Sequence, residues 1–229
     1  MHRRDRDTKA LDMPSSQDSH PDPRQTAQTR ARYDRVAPVY DLMNFCADFF
    51  YRQWREWLWR QVPRYGRTLE VGVGTGKNIP FHPREAQVIG IDISPKMLAR
   101  AERRKKKIGA STELRLGDAQ ALDLPADSVD AAVATFVFCS VPDPVLGFRE
   151  LRRVVRPDGQ VYLLEHMRSA NAFIGQLMDF VNPLVAATMG FNINRRTLEN
   201  IKMSGLEIEH IQDVGLGGIF KTIVARPKK

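Results

Sequence analysis

Short apolar runs alternate with amphipathic helical patterns from Thr68 to the end of the chain. The runs that predict strands are TLEVG (68–72), AQVIGID (86–92), TELRLGD (112–118), VDAAVATF (129–136) and GQVYLLEH (159–166). The stretches at 95–107 and 143–155 repeat apolar residues at the spacing of one helix face. This alternation is typical of a mainly parallel sheet with helices on both faces.

Two further strand-like runs, 206–214 and 218–226, follow near the end of the chain. A short glycine-containing link separates them, which is typical of a hairpin. We therefore predict an α/β fold whose mainly parallel, seven-stranded sheet ends in an antiparallel hairpin.

The first 28 residues lack this pattern. They are rich in Arg, Asp, Ser, Pro and Gln and poor in branched apolar side chains, so they cannot bury enough surface to offset the entropy of ordering. We expect residues 1–28 to form a disordered tail. Residues 29–229 are expected to form one domain, since a chain of this size needs only one core.

Composition narrows the class of protein without selecting a function. No stretch approaches the roughly 20 apolar residues of a membrane span, and the start of the chain lacks the apolar core of a secretory signal. Cys46 and Cys139 are too far apart in sequence for a disulfide framework or a zinc-ligand spacing, so we expect a cytoplasmic protein without a metal. The net charge of +8 favours anionic partners, either phospholipid or nucleic acid, without choosing between them.

A glycine-rich loop follows the first predicted strand. In LEVGVGTGKN, Gly72, Gly74 and Gly76 alternate where the backbone has to turn sharply and approach a ligand closely. Asp92 ends the next strand, where a carboxylate can accept hydrogen bonds from both hydroxyls of a ribose. A dinucleotide-dependent dehydrogenase is the main alternative for the loop alone, but the third glycine comes one position too early for G-x-G-x-x-G. The segment predicts a Rossmann-like nucleotide site with a helix after the loop.

These motifs resemble those of the class I S-adenosylmethionine-dependent methyltransferases. The family's motifs are matched, in order, by E-x-G-x-G-x-G at 70–76, Asp92, the pair Asp118-Ala119, the strand start Val129-Asp130 and the turn RVVRPDG at 153–159. The resemblance covers about 200 residues, and the motifs occur in the family's order.

The resemblance implies S-adenosylmethionine as the cofactor. The residues it implies for cofactor binding are Glu70, Gly72, Gly74, Gly76, Asp92, Ile93, Asp118 and Ala119. Among them the glycines would line the amino-acid and ribose portion, Asp92 would hold the ribose, and Asp118 with Ala119 would meet the adenine. Two alternatives stay open: Asp118 is a plain turn residue, and Glu70 only braces the glycine loop.

The class of methyl acceptor is narrowed by motifs that the chain lacks. The fourth strand ends in TFVFCSVPD and lacks the Asn/Asp-Pro-Pro-Tyr/Phe motif with which enzymes grip an amino group of DNA or a glutamine. Neither Cys46 nor Cys139 follows a proline, which weakens cytosine C5 methylation by a nucleophilic cysteine. Two cysteines are too few for arsenite methylation. Nucleic acid is therefore not the expected acceptor.

Three segments favour a lipophilic acceptor. RYDRVAPVYDLMN (32–44) resembles the opening segment of bacterial phosphatidylethanolamine N-methyltransferases and of quinone-biosynthesis C-methyltransferases, which implies a lid over the cofactor at 29–63. The helix at 45–62 interleaves aromatic and arginine side chains, which suits either an anionic bilayer interface or core packing. The apolar segment 172–191 suits either the wall of an acceptor pocket or a cover for the sheet edge.

The basic run 103–107 is more typical of a solvated helix face than of a phosphate-binding site.

The subfamily resemblances point to one acceptor without excluding the others. FVFCSVPDP and LLEH resemble phospholipid N-methyltransferases and thiol S-methyltransferases, whereas YDLMN and the terminal GGIF resemble the quinone enzymes. The quinone enzymes usually carry an acidic residue where Lys77 stands. We expect N-methylation of phosphatidylethanolamine, with peripheral contact to the inner face of the membrane and no obligate protein partner. Quinone C-methylation, thiol S-methylation and cofactor binding without turnover stay open.

Further residues are predicted on the acceptor side. Tyr40 and His166 are expected to orient the acceptor amine or to accept its proton. Tyr33 and Tyr40 can surround a cationic head group with their ring faces. Arg168, together with Arg195 or Arg196, is expected to bind a lipid phosphate.

Overall fold

Strands and helices alternate along the chain in the computed structural model, which describes residues 20–188, 190–215 and 218–229, without the side chains of residues 46 and 47. The helices are α1 (Pro23–Val36), α2 (Tyr40–Met43), α3 (Phe45–Trp59), α4 (Pro95–Ile108), α5 (Pro144–Val154), α6 (Ala172–Thr188) and α7 (Thr197–Met203). The strands are β1 (Arg67–Val71), β2 (Gln87–Asp92), β3 (Glu113–Leu116), β4 (Val129–Thr135), β5 (Val155–His166), β6 (Leu206–Asp213) and β7 (Phe220–Pro227). The seven strands predicted from the sequence are confirmed.

The strands form one sheet in the order β3-β2-β1-β4-β5-β7-β6. Neighbouring strands from β3 to β5 are parallel, whereas β7 is antiparallel to both β5 and β6. The predicted antiparallel hairpin is therefore confirmed, with its second strand inserted inside the sheet edge. The chain order reverses between β1 and β4, and in sheets of this kind ligands bind at the carboxyl ends of the strands at such a point.

Both faces of the sheet are covered. In β4, Ala132 and Ala134 belong to one apolar core, and Ala131 and Val133 belong to a second core on the opposite face. Phe148 of α5 packs in the first core, while Leu58 and Trp59 of α3 pack in the second. Since burying one such side chain contributes about 1.5–3 kcal/mol, the two layers of helices hold the sheet rigid beneath the loops at its edge.

Two helices follow strands at this edge of the sheet, α4 after a short loop from β2 and α5 after the longer loop 136–143 from β4. Ser94 caps α4 by accepting a hydrogen bond from the Met97 N–H at 3.1 Å, and Asp143 caps α5 through the Leu146 N–H at 3.0 Å. Each helix has a proline in its first turn, where a missing N–H costs nothing. These caps set where the loops after β2 and β4 end.

The boundary of the N-terminal segment differs from the prediction. Helix α1 begins at Pro23, where Asp22 Oδ1 accepts a hydrogen bond from the Arg24 N–H at 2.8 Å, so placing residues 23–28 in a disordered tail is wrong. The composition of α1 is polar, and the helix is held by tertiary contacts that composition does not reveal. The rest of the predicted tail, residues 1–19, lies outside the described residues.

The helix predicted directly after the glycine loop is also corrected. A short 3-10 helix, Ile79–Phe81, stands there instead. Pro80 and Pro83 follow the loop closely, and because proline lacks a donor and clashes with the preceding turn, a regular α-helix cannot propagate.

Candidate cofactor and acceptor site

A cavity of about 690 Å³ opens at the carboxyl ends of β1, β2 and β4. Of the residues predicted for the site, those that line it are Tyr33, Tyr40, Gly72, Gly74, Asp92, Ile93, Asp118 and Ala119. Those that the structure places outside its lining are Glu70, Gly76, His166 and Arg168. Helices α1 and α2 cover the cavity and contribute its tyrosines.

The three glycines of the loop all have positive φ but play different parts. A Cβ on Gly72 would lie 2.5 Å from Val137 Cγ2, and one on Gly76 would lie 2.6 Å from Ile79 Cδ1, so both positions are closed by protein atoms. A Cβ on Gly74 would meet nothing nearer than a backbone oxygen at 3.9 Å. Gly74 therefore leaves open space at the cavity wall, and this space allows a ligand to approach the backbone closely.

Asp92 is the buried carboxylate of the cavity wall. It is 9% exposed, and its oxygens accept hydrogen bonds from the Gly74 N–H at 2.8 Å and the Ser94 N–H at 2.9 Å. Burial raises the pKa of Asp92 to about 6, against the effect of the two backbone donors. The group is therefore ionised at neutral pH and has lone pairs left to accept hydroxyl donors from a ribose.

Asp118 connects the opposite end of the cavity to α1. Its carboxylate accepts hydrogen bonds from the Gln120 N–H at 2.9 Å and from Thr26 Oγ1 at 2.9 Å. The turn predicted as the alternative role thus exists, and Asp118 lines the cavity as well. Ala119, next to it, presents a small side chain that leaves room for a flat ring.

Glu70 lies beneath the glycine loop. It is fully buried, and its two oxygens bind Asn78 Nδ2 at 2.7 Å and His82 Nε2 at 2.8 Å. The expected direct contact between Glu70 and the cofactor is therefore replaced by a bracing role. A buried carboxylate with both oxygens bound to side chains after the loop fixes the path of that loop.

The N-terminal helices are attached to the loops that build the cavity. Asp34 Oδ1 accepts a hydrogen bond from Ser94 Oγ at 2.6 Å, next to Asp92. Asp41 binds Thr75 Oγ1 at 2.7 Å, inside the glycine loop, and Arg100 at 2.8 Å on α4. Helices α1 and α2 therefore lie across both cofactor loops.

Two tyrosines face the cavity from these helices. Tyr33 Oη shares a hydrogen bond with Ser140 Oγ of the turn after β4. Burial raises the pKa of Tyr33 well above its ordinary value and that of Tyr40 to about 12. Both hydroxyls are protonated at neutral pH, so Tyr40 can orient an acceptor but does not act as an ionised base.

His166 does not reach the cavity, although it ends β5. Its Nε2 lies 3.2 Å from the backbone oxygen of Asn192, and its ring lies in an aromatic cluster with Phe136, Phe191 and Phe220. Burial lowers the pKa of His166, so the ring is neutral. The structure therefore does not support the predicted proton transfer to His166.

The arginines expected to bind a lipid phosphate are engaged elsewhere. Arg168 forms an ion pair with Asp179 at 2.9 Å, Arg195 donates to the backbone oxygen of Val141 at 2.8 Å, and Arg196 lies 3.4 Å from Glu199. Arg168 lies outside the cavity lining, so its predicted role in substrate binding lacks a structural basis.

Glu165 is a residue of the site that sequence reasoning missed. It is fully buried, and its Oε1 accepts hydrogen bonds from the N–H groups of Val137 at 2.9 Å and Phe138 at 3.0 Å. These bonds hold the turn after β4, in which Phe136 adopts a φ of 56° that side chains rarely tolerate. Phe136 and Val137 line the cavity, so Glu165 positions this part of its wall. The available signal was an acidic residue within an apolar strand end.

Glu165→Gln is expected to flatten the dependence of stability on pH. Burial raises the pKa of Glu165 from 4.5 to about 8, so the folded chain holds this proton more tightly than the unfolded chain. The wild-type free energy of unfolding should therefore fall as pH rises between these two values, whereas glutamine has no proton to lose. Denaturant unfolding at several pH values from about 5 to 8 measures this slope. The exposed control Glu85→Gln should keep the wild-type slope, and an equal slope in Glu165→Gln would contradict the assignment.

Helix α3 divides into two parts with different surroundings. Leu58 and Trp59 are buried in the core, whereas Phe45, Phe49 and Phe50 are 75%, 73% and 64% exposed. Core packing thus describes the end of the helix, and an exposed apolar surface describes its beginning.

Helix α6 also exposes apolar side chains. Phe173, Leu177, Phe180 and Leu184 recur at the spacing of one helix face and are 53–84% exposed. None of them lines the cavity, so the expectation that this segment walls an acceptor pocket is not supported. No helix in the described ranges is long and apolar enough to cross a bilayer.

Residues 69–163 match the family model of the methyltransferase domain. These residues run from β1 into β5 and include the glycine loop, Asp92 and Asp118.

Three curated relatives differ in the acceptor that their names state. The phosphatidylethanolamine N-methyltransferase of Cereibacter sphaeroides is 43% identical over 105 residues, 45% of this chain and 52% of that protein. The ubiquinone/menaquinone biosynthesis C-methyltransferase of Syntrophotalea carbinolica is 31% identical over 65% of both chains. The thiol S-methyltransferase of Homo sapiens is 32% identical over 63% of this chain and 62% of that protein. The chain thus matches between about half and two thirds of the length of these relatives.

One solved structure with the same fold is named for a reaction other than methyl transfer. The [4+2]-cyclase SpnF superposes with a TM-score of 0.71 at 19% identity, over 88% of this chain and 95% of that chain. The fold alone therefore does not decide the reaction. The domain match, the relatives and the nucleotide cavity identify residues 69–163 as a methyltransferase domain of the class I type, whose cofactor is S-adenosylmethionine.

Proposed function

We propose that the chain transfers a methyl group from S-adenosylmethionine to a lipophilic amine, with phosphatidylethanolamine as the acceptor. The observation that carries the proposal is a cavity lined by Gly74 and Asp92 together with two half-buried tyrosines, Tyr33 and Tyr40. The 43% identity with a phosphatidylethanolamine N-methyltransferase supports this acceptor class.

Residues of the cavity wall would contact each part of the cofactor. Gly74 allows the backbone to approach the ligand, Asp92 accepts the ribose hydroxyls, and Asp118 with Ala119 borders the base. When bound, S-adenosylmethionine supplies an activated methyl group on its sulfonium. The protein then has to orient the acceptor and to exclude water, and α1 and α2 act as the lid by lying across both cofactor loops.

The acceptor side of the cavity suits an amine. The aromatic rings of Tyr33 and Tyr40 line the cavity and can attract a cationic head group, with Lys77 Nζ already lying over one face of Tyr40. Tyr40 Oη can accept a hydrogen bond from an amine N–H and turn the nitrogen lone pair toward the methyl donor. Glu165 keeps Phe136 in the opposite wall.

The exposed apolar side chains of α3 and α6 support peripheral contact with a bilayer. Phe45, Phe49 and Phe50 follow α2 of the cavity cover, and α3 also carries Arg52, with Arg60 at its C-cap. Apolar side chains interleaved with arginine bind the interface of anionic membranes. Contact there would bring a lipid head group to the cavity without extracting the lipid far into water.

Tyr40→Phe is expected to lower turnover roughly 3- to 10-fold, the value of one net hydrogen bond, without changing affinity for S-adenosylmethionine. The ring and its packing remain, so only the orienting hydroxyl is lost. Steady-state methylation of phosphatidylethanolamine vesicles measures the change, and the 72%-exposed Tyr65, changed to Phe, is the control that should behave as wild type. Unchanged turnover in Tyr40→Phe would remove the orienting role.

The proposed acceptor is tested with methyl-labelled S-adenosylmethionine and a bacterial membrane extract whose phospholipids, quinones and thiols are separated afterwards. We expect label in methylated phosphatidylethanolamine. Label confined to the quinones would favour C-methylation instead, which the relative matched over 65% of both chains also supports. Label only in small thiols would refute the lipid acceptor.

A further inference from the structure

A second cleft, of about 620 Å³, lies between α3, the end of the glycine loop and α4. Four cationic side chains line it, Arg52, Arg55, Lys77 and Arg104, together with one carboxylate, Asp48. None of these residues belongs to the cofactor cavity. The cleft therefore has an excess of positive charge of its own.

Two of the cations are largely withdrawn from solvent. The side chain of Arg55 is 11% exposed and that of Lys77 is 12% exposed. Arg55 Nη1 lies 3.5 Å from Asp48 Oδ1, and within the described part of the chain Arg55 Nε is buried without a hydrogen-bond partner. The charge of this largely buried guanidinium is therefore only weakly compensated within the protein, and an anion in the cleft would compensate it further.

The carboxylates around the cleft are too few to neutralise it. Asp48 binds Lys77, and Asp41 receives Arg100 at 2.8 Å and Arg104 at 3.2 Å. Asp41, Asp48 and the Glu70 carboxylate that acts on Arg55 thus face five cations, namely Arg52, Arg55, Lys77, Arg100 and Arg104. Burial also lowers the pKa of Lys77, whereas a bound anion would raise it by stabilising the charged ammonium.

The cleft adjoins the cofactor cavity across two aromatic rings. Lys77 Nζ lies 5.2 Å from the centre of the Tyr40 ring, and the Arg55 guanidinium lies 5.6 Å from the centre of the Phe136 ring. Both rings line the cofactor cavity. A phosphate in the cleft would therefore keep a short amine-bearing arm within reach of that cavity.

We propose that the cleft lined by Arg52, Arg55, Lys77 and Arg104 binds a phosphate group, and that this phosphate is the one in the head group of the methyl acceptor. The second part of this proposal rests on the proposed function. Arginine forks and a lysine ammonium suit the charge and geometry of phosphate oxygens. The exposed Phe45 and Phe49, at the beginning of the same helix as Arg52, would lie beside the acyl chains.

The test compares Arg52→Gln and Lys77→Gln with Arg103→Gln, an exposed basic residue of α4 outside the cleft. Binding of inorganic phosphate and of water-soluble dihexanoyl phosphatidylethanolamine is measured by calorimetry, and KM and kcat are measured with the same lipid. We expect each cleft variant to weaken both ligands and to raise KM for the lipid about tenfold or more. Dissociation of S-adenosylmethionine, kcat and the unfolding temperature should stay within about twofold or a few degrees of wild type.

The possible results distinguish phosphate binding in the cleft from the assignment of this phosphate to the lipid head group. If the cleft variants bind phosphate and lipid as Arg103→Gln does, the cleft is not a phosphate site, and the proposed methyl transfer is untouched. If they lose phosphate but keep the wild-type KM for the lipid, the site takes free phosphate and the head-group assignment is overturned. If phosphate binding depends on Arg52 and Lys77 while no lipid is methylated, the proposed function fails and the anion site stands.

Discussion

Gly74→Ala should lose about 10- to 100-fold in affinity for S-adenosylmethionine while remaining folded. Its φ of 55° costs any side chain about 1–2 kcal/mol, but a Cβ there meets no protein atom nearer than 3.9 Å. The added methyl group would instead occupy the space that the cofactor needs. Loss of affinity far larger than loss of stability is therefore the expected signature.

Gly109→Ala is the matched control for this prediction. Gly109 ends α4 with a φ of 65°, and a Cβ there would meet nothing within 4 Å. Both substitutions should lower the free energy of unfolding by a similar amount, but only Gly74→Ala should weaken cofactor binding in a calorimetric titration. Equal affinities in the two variants would show that the cofactor does not approach the loop at Gly74.

Asp92→Asn is the second substitution expected to have a large effect, about 10- to 100-fold on cofactor affinity. An ionised carboxylate accepts hydrogen bonds from two hydroxyls, and each such charged bond contributes about 1.5–3 kcal/mol. The asparagine amide has a single accepting oxygen, and its NH2 group would face a donor. The exposed Asp123→Asn should bind as wild type does.

The same carboxylate predicts how affinity depends on pH. Because burial raises the pKa of Asp92 to about 6, the accepting form is present above that pH and is lost as pH falls through it. Wild-type affinity for S-adenosylmethionine should therefore decline on the acid side of pH 6, and Asp92→Asn should lack this decline. A wild-type titration that is flat between about pH 5 and pH 7 would contradict the role assigned to Asp92.

The sheet and several residues of the cavity wall could be predicted from the sequence for a clear reason. Buried parallel strands are short apolar runs, and the glycine loop and Asp92 stand directly at the ends of two of them. Strand ends meet at one edge of the sheet whatever the details of packing. The positions of Gly74, Asp92 and Asp118 in the cavity wall therefore follow from chain order alone.

The acceptor side could not be predicted in the same way. Glu165 and His166 are neighbours at the end of β5, and successive side chains of a strand point to opposite faces. Glu165 reaches the turn after β4, so His166 turns away into the aromatic cluster. The sequence does not show which sheet face each side chain of β5 occupies, because the strand begins with a turn-like stretch at Val155–Gly159.

Tertiary pairing determined the other departures from prediction. The polar composition of residues 23–28 indicated disorder, yet Thr26 bonds to Asp118 and thereby holds α1 to the cavity. The basic helix α4 was expected to be merely solvated, yet Arg104 joins a cleft with Arg55 and Lys77. Contacts between segments so far apart in sequence leave no trace in local patterns.

The central claim is that the cavity at the ends of β1, β2 and β4 binds S-adenosylmethionine. It is tested most directly by calorimetric titration of the purified chain with S-adenosylmethionine and, separately, with NAD. We expect one bound S-adenosylmethionine per chain and no measurable binding of NAD, since the loop lacks the spacing of a dinucleotide site. Binding of NAD without S-adenosylmethionine would contradict this claim and would return the glycine loop to the dehydrogenase alternative.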